Sequence, residues 1–215
     1  MYTPKHFEER RPEAIRALVA AHPLATLVTL TGSGLVANHI PLHLREDGSP
    51  FGTLVGHIAR ANRLWSDHAP DVEALAIFQG PDAYITPNDY PGKREHGRAV
   101  PTWNYVTVHA YGPLRVIEDA AWLREQLEGL TDAHEAAFAH PWQVGDAPAD
   151  YTAGMIKAIV GIEIAITRVE AKWKVSQNQP EANRAGVVAG LRAREDAAAR
   201  AMADLVAATL GGDKT

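Results

Sequence analysis

The sequence predicts a mainly β protein with flanking helices, and three features support this. Short runs of apolar and β-branched residues recur between Leu24 and Ile166, separated by turns rich in Gly, Pro, Asp and Ser. Segments with helical spacing of apolar residues lie before, between and after these runs. About six short antiparallel strands of this kind favour a closed barrel, because closure removes exposed strand edges.

The first elements are one helix and three strands. Pro12–Ala21 has apolar residues at helical spacing, and His22-Pro23 ends that helix. The strands that follow are predicted at Leu24–Thr31, Leu35–Leu44 and Phe51–Ile58. The turns between them are short and rich in Gly and Asp, so the strands are expected to pair as antiparallel neighbours.

The later elements alternate between helices and strands. A short helix near Asn62–His68 precedes the strands Ala74–Phe78 and Ala83–Thr86, the polar loop Pro87–Pro101 and the long strand Trp103–Ile117. Helices are then predicted at Ala120–Leu130, at Asp150–Ile159 and from Pro180 to about Leu210, with a strand that carries Ile162, Ile164 and Ile166 before the last of them. We expect one domain over residues 1–180 and a helical extension over residues 181–215.

Composition excludes several classes of protein. The chain has 215 residues and no cysteine, which excludes disulfides, thiolate zinc sites and cysteine nucleophiles. No apolar run approaches the roughly 20 residues of a membrane span, and the N-terminus is too charged for a signal peptide, so a cytoplasmic location is expected. A net charge of −5 argues mildly against a constitutive DNA-binding protein, although a dimer could concentrate positive charge.

The segment Thr53–Trp65, TLVGHIARANRLW, is the most informative part of the chain. A strand runs through it into an arginine-bearing corner and then into the start of a helix. Such a corner is expected to expose unpaired backbone N–H groups and the positive end of a helix dipole. Arg60 and Arg63 would add charge-assisted hydrogen bonds to a phosphate. Their spacing alone also fits ordinary solvated residues on the first turn of a helix.

Other motifs are less decisive. His39, His43, His57 and His109 lie on predicted strands, but no carboxylate–histidine spacing accompanies them, so no metal ligand set is predicted. Haem ligation by a single histidine stays open. There is no nucleophile elbow, Walker motif or GxGxxG segment, and no catalytic residue is assigned.

Aromatic residues suggest a site for a flat ring. Trp103, Tyr105, His109 and Tyr111 share one face of the long strand. The segment Lys172–Asn178 adds an indole, two ammonium groups and neutral hydrogen-bonding side chains. Aromatic walls with a few polar groups are typical of pockets for heterocycles, although core packing would explain the tryptophans equally well.

Eight segments in this order resemble the PaiB-type family of FMN-binding split-barrel proteins, which are usually labelled negative transcriptional regulators. The segments extend from Met1 to about Arg192 and read MYTPKHF, HPLATLVT, ANHIPLHL, GTLVGHIARAN, FQGPDAYITP, VPTWNYVTVHAYG, GIEIAITRVEAKWKVSQN and RAGVVAGL.

The resemblance implies a six-stranded antiparallel Greek-key split β-barrel that forms a homodimer with FMN at the subunit interface. It places His57, Arg60 and Asn62 at the FMN phosphate. By the same analogy the ring would be met by Asn38, His39, Trp103, Asn104, Ser176 and Gln177.

The resemblance leaves the activity open. The alternatives are a flavin-dependent oxidoreductase, either a flavin reductase or a pyridoxamine-phosphate-oxidase-like enzyme, and a haem-binding or haem-degrading split-barrel enzyme. DNA binding by a repressor is a further alternative. The best helix-turn-helix candidate, Glu181–Leu191, contains Gly186 and Gly190 and has no clear recognition helix.

Overall fold

The computed structural model describes residues 1–211, with the backbone alone for residues 95 and 96. The chain forms two compact units, each assembled from separated stretches of sequence. The first unit holds Met1–Leu18, Gln79–Val108 and the chain from Glu170 onward, and the second holds Val19–Phe78 and His109–Val169. The division into residues 1–180 and 181–215 stays a prediction, and residues 212–215 of that extension lie outside the described residues.

The elements are as follows. The helices are α1 (Pro12–Ala21), α2 (Leu64–Asp67), α3 (Lys93–His96), α4 (Ala120–Glu135), α5 (Ala149–Lys157), α6 (Glu181–Arg192) and α7 (Ala197–Ala207), with 3₁₀ turns at Lys5–Phe7, Pro87–Asp89 and Val144–Asp146. The strands are β1 (Leu24–Thr31), β2 (Gly34–Pro41), β3 (His43–Arg45), β4 (Thr53–Ala59), β5 (Ala74–Ile85), β6 (Thr102–Gly112), β7 (Leu114–Ile117), β8 (Ile159–Ala165) and β9 (Arg168–Lys174).

The strands form two sheets, with the orders β2-β1-β5-β6-β9 and β3-β4-β8-β7. β1 and β2 make the predicted antiparallel hairpin, with Leu24 opposite Pro41 and Thr31 opposite Gly34. The mainly β class with flanking helices is confirmed. The expectation that the strands close into one barrel is corrected, since the nine strands of the described residues form two sheets that are not closed.

Prolines and glycines account for most differences in strand bounds. Pro113 lacks a backbone N–H, and the predicted strand Trp103–Ile117 ends and restarts there as β6 and β7. The predicted strand Leu35–Leu44 divides after Pro41, where the Leu42 N–H donates to the Pro23 carbonyl (2.9 Å). The two runs on either side of Gly80 form one strand, β5.

The absence of a side chain at Gly80 is a packing requirement. A Cβ atom there would lie 2.5 Å from the Val106 side chain and 2.6 Å from that of Leu18. Gly80 therefore allows two neighbouring segments of the first unit to approach the strand closely, and it does not act as a turn.

Each unit has its own buried apolar residues. Those of the second unit include Leu27, Leu54, Phe78, Leu123, Ile162 and Ile164. Those of the first unit include Ile85, Val106, Val187, Leu191, Met202 and Val206. In the second unit β4 lies between β3 and β8 and is buried along most of its length, so the chain that leaves it starts from a fixed position.

Candidate functional site

The corner after β4 begins where the chain leaves the second sheet. The Arg60 N–H donates to the Ala158 carbonyl (2.8 Å), and the Asn62 N–H donates to the Ala59 carbonyl (2.8 Å). The Leu64 N–H donates to the side-chain oxygen of Asn62 (3.0 Å). The expectation that this corner exposes unpaired N–H groups is wrong for these three amides.

The helix that follows is too short to supply a dipole. α2 is one turn of four residues, and Arg63 precedes it without a capping side chain. The Arg63 side chain is largely exposed and pairs with Asp67 (3.0 Å). Because the macrodipole depends on several aligned peptide units, the positive potential of this corner comes mainly from side chains.

The Arg60 side chain is held by three acceptors of the second unit. Its Nη1 donates to the Glu118 carboxylate (2.7 Å), its Nε to the Lys157 carbonyl (3.0 Å) and its Nη2 to the Ile159 carbonyl (3.2 Å). The guanidinium also lies 5.8 Å from the ring centroid of Trp65. A guanidinium has five N–H donors, so three bonds leave two for an anion.

Asn62 connects the corner to β2. Its side-chain N–H₂ donates to the Asn38 side-chain oxygen (2.8 Å). The Nδ2 atom of Asn38 is buried and has no acceptor among the described residues. A buried donor without an acceptor is costly, which makes this amide a candidate contact for a ligand oxygen.

His39 and His57 differ in their surroundings. His39, the strand neighbour of Asn38, is exposed, and its Nδ1 lies 3.4 Å from the Thr26 hydroxyl. His57 Nδ1 lies 2.8 Å from Gln126 Oε1, and since an amide oxygen only accepts, the Nδ1–H of His57 donates. The Gln126 side chain comes from α4, and its buried Nε2 has no acceptor among the described residues.

In the first unit, Asn104 and Ser176 are in direct contact. The Asn104 side-chain N–H₂ donates to the Ser176 hydroxyl oxygen (2.8 Å), and both residues are buried. Ser176 has φ 63°, the one positive φ of a non-glycine residue in the described chain. Such conformations cost on the order of 1–3 kcal/mol and concentrate at functional sites.

Trp103 and Gln177 also lie in the first unit, and their side chains make different kinds of contact. The Trp103 side chain is exposed and packs edge-on against Tyr84, with ring centroids 5.9 Å apart. The Gln177 side chain folds back on its own turn, where it accepts from the Val175 N–H (2.8 Å) and donates to the Trp173 carbonyl.

The nine predicted residues thus fall into two groups that the structure describes separately. In the second unit Asn38 and Asn62 bond each other beside Arg60, His57 is held by Gln126, and His39 is exposed. In the first unit Asn104 and Ser176 are paired. A role in cofactor binding for any of the nine stays a prediction.

Comparison with known proteins identifies the family. A family model described as "Putative FMN-binding domain" matches residues 1–168. A Bacillus subtilis protein named protease synthase and sporulation protein PAI 2 is 32% identical over 206 residues, which cover 96% of this chain and 96% of that protein.

The chain belongs to the PaiB-type FMN-binding family.

Solved structures with low sequence identity show that the PaiB-type chain has the fold implied by the resemblance. The flavocytochrome Anf3 from Azotobacter vinelandii matches with a TM-score of 0.57 and 15% identity, covering 80% of this chain and 72% of that one. The FAD and haem binding protein from Mycobacterium smegmatis matches with a TM-score of 0.55 and 17% identity, covering 78% of this chain and 73% of that one.

Two general properties of the PaiB-type chain follow from its described residues. None of the helices in residues 1–211 has the length and apolar character needed to cross a bilayer. Within the same residues, no three His, Cys, Asp or Glu side chains are grouped so that they could hold a metal ion. A cytoplasmic location stays a prediction.

Glu118 and Gln126 are two contacts of the site that the sequence did not predict. Glu118 binds Arg60, and Gln126 holds His57. A weak signal existed for Gln126, because it lies between Leu123 and Leu127 on the apolar face predicted for α4. No local signal marks Glu118, which is one of several acidic residues around a helix start.

Proposed function

We propose that this PaiB-type protein binds FMN, with the flavin phosphate at the corner formed by His57, Arg60 and Asn62. FMN supplies redox chemistry when it is bound, and the protein supplies the binding groups. The ring end is assigned to Asn38, His39, Trp103, Asn104, Ser176 and Gln177.

The donors at the corner fit such a ligand. Arg60 has two N–H groups beyond its three protein bonds, and the Asn38 amide is buried without an acceptor. Phosphate oxygens and the carbonyl oxygens of a flavin ring are acceptors, so both kinds of donor would be satisfied by one molecule. The buried Asn38 amide is the observation that carries the proposal.

A homodimer is part of the same proposal. In the second unit, Leu35 and Val36 are exposed on β2, which is the edge strand of its sheet. In the first unit, Tyr84 and Trp103 are exposed next to each other. A second copy of the chain would remove these apolar side chains from water.

Titration with two flavins tests the proposal. Riboflavin lacks the phosphate, so we expect FMN to bind at least about 10-fold more tightly through charge-assisted hydrogen bonds. Quenching of flavin fluorescence measures both dissociation constants. Equal affinities would contradict a phosphate site at this corner, and absence of binding by either flavin would contradict flavin binding altogether.

A role as a transcriptional regulator that contacts DNA directly has limited support in the C-terminal helices α6 and α7. A Cβ atom at Gly186 would meet the Asp89 carbonyl oxygen at 2.1 Å, so this face of α6 is packed against the chain. The exposed charges of α7 include one cation, Arg200, and one anion, Asp204. These helices therefore offer little excess positive charge to a phosphate backbone.

A flavin-dependent oxidoreductase is the second candidate, because a cavity in the first unit is lined in part by Asn104 and Ser176, two residues assigned to the flavin ring, and offers space for a substrate beside them. Reduction by NAD(P)H would bleach the flavin absorbance of the loaded protein at a rate useful for turnover. A Soret band on addition of haem, lost in a His57→Ala variant, would instead support the haem-binding alternative.

A further inference from the structure

A cavity of about 260 Å³ lies within the first unit. Its wall is made by the chain around α3, the start of β6, the turn after β9 and the start of α6. The lining residues that matter here are Tyr90, Lys93, Arg98, Asn104, Lys174 and Ser176. This volume is smaller than a typical pocket for a drug-sized molecule and suits a small, polar ligand.

The charge of this cavity is positive, although the whole chain carries −5. Lys93 and Lys174 line it, and no described lining residue is acidic. The Lys174 ammonium donates to the Thr102 hydroxyl and to the Trp103 carbonyl, and both of these acceptors are neutral. Lys93 donates to the neutral Asn88 amide oxygen (2.6 Å).

A bound anion would stabilise the charged form of Lys174. Burial, and secondly the nearby Lys172 ammonium, lower the pKa of Lys174 below its usual value of 10.5. An ammonium has three N–H donors, and the two bonds to Thr102 and Trp103 leave one. A bound anion would compensate the charge and accept from that third donor.

The opposite side of the wall offers neutral hydrogen bonds. Ser176 Oγ accepts from Asn104, so its own hydroxyl proton can be donated to a ligand. The left-handed backbone of Ser176 holds this hydroxyl in a conformation that a non-glycine residue rarely adopts. Strain of this kind at the wall of a cationic cavity is typical of a ligand-binding position.

We infer that this cavity binds the phosphate group of a second small molecule, distinct from the flavin. The inference deepens the proposed function, because Asn104 and Ser176 are among the residues assigned to the ring end of the flavin. A phosphorylated small molecule bound against these residues would be a candidate substrate for a flavin enzyme. The same cavity could instead take the phosphate of the flavin itself, and the two sources are separable by experiment.

The first test uses the full-length protein freed of flavin and inorganic phosphate as the probe. Calorimetric titration should give saturable binding, and Lys174→Met should weaken it by about 10- to 100-fold, the effect of losing a charge-assisted hydrogen bond. Lys93→Met provides a second variant should Lys174→Met fail to fold, as judged by its melting temperature. Lys5→Met, an exposed lysine of the same unit, is the matched control and should bind like the wild type. No saturable binding, or Lys174→Met and Lys93→Met both equal to the control, would overturn the inference.

The second test identifies the source of the phosphate. Dissociation constants for FMN and riboflavin are measured for the wild type and for Lys174→Met. An unchanged ratio of FMN to riboflavin affinity supports a second ligand. A selective loss of FMN affinity would assign the cavity to the flavin phosphate and overturn the inference of a distinct molecule. Phosphate binding by a protein that takes up no flavin would refute the proposed function and leave the phosphate site standing.

Discussion

Arg60 Nη1 lies 2.7 Å from the Glu118 carboxylate, so the cation assigned to the flavin phosphate is already paired within the protein. Both side chains are partly exposed, and the pair can exchange partners without uncovering a buried charge. Glu118 therefore places a negative charge beside the proposed phosphate position and should weaken the binding of FMN.

Glu118→Gln should strengthen FMN binding by about 2- to 5-fold, since exposed pairs of this kind contribute up to about 1 kcal/mol. Riboflavin affinity should not change, because riboflavin has no phosphate for the released guanidinium to bind. The control is Glu128→Gln, which breaks the exposed pair with Arg124 on α4. FMN affinity that is lower or unchanged in Glu118→Gln would argue that the pair is purely structural.

Arg60→Ala should weaken FMN binding by about 1.5–3 kcal/mol through loss of charge-assisted hydrogen bonds. The variant also loses the bonds to the carbonyls of Lys157 and Ile159, so its melting temperature is measured on the same sample. Riboflavin separates the two effects, because a general loss of structure would weaken both flavins equally. An FMN dissociation constant like that of the wild type would refute the role of Arg60.

Gly186→Ala should destabilise the protein by about 1–3 kcal/mol, the usual range for overpacking. The new Cβ would lie 2.1 Å from the Asp89 carbonyl oxygen and 2.8 Å from the Pro91 ring, so the backbone must move. Gly129→Ala on α4 meets nothing within 4 Å and is the matched control, with a gain of about 0.5–1 kcal/mol from helix propensity. Denaturant unfolding measures the free energy of unfolding of both variants. Equal changes would mean that α6 is not packed closely against the chain at Asp89 and Pro91.

His43 should make the free energy of unfolding depend on pH as the pH falls below 6.5. Burial, and then the charges of Arg45 and His134, lower the pKa of His43 from its usual 6.5. The unfolded chain therefore binds the proton at higher pH than the folded protein, and stability is lost as the pH falls below 6.5. His43→Gln should flatten this part of the curve of unfolding free energy against pH. His140 is exposed, and the control variant His140→Gln should leave the curve unchanged. A curve for His43→Gln parallel to that of the wild type would contradict the assignment.

Local signals predicted some elements well. Both ends of α1 and of β1 agree with the sequence-based bounds, because Pro12 and His22-Pro23 act on their immediate neighbours. The division of one predicted strand into β2 and β3 was not predicted. It depends on which sheet each part joins, and that is decided by partners far away in the sequence.

The candidate site shows the same limit. The sequence alone could point to Arg60 and Asn62, because they follow a strand in one recognisable segment. The sequence could not reveal that the Glu118 carboxylate accepts a hydrogen bond from Arg60 or that Gln126 orients His57. Those contacts join segments that are distant in the sequence. The cationic cavity likewise brings α3 together with the end of β9, which no local pattern connects.

The flavin content of the purified protein tests the central claim most directly. The protein as isolated, or after incubation with FMN and removal of the excess, should be yellow and should release FMN on denaturation, up to about one per chain. A colourless protein that takes up no added FMN would contradict the assignment of a flavin site to this chain.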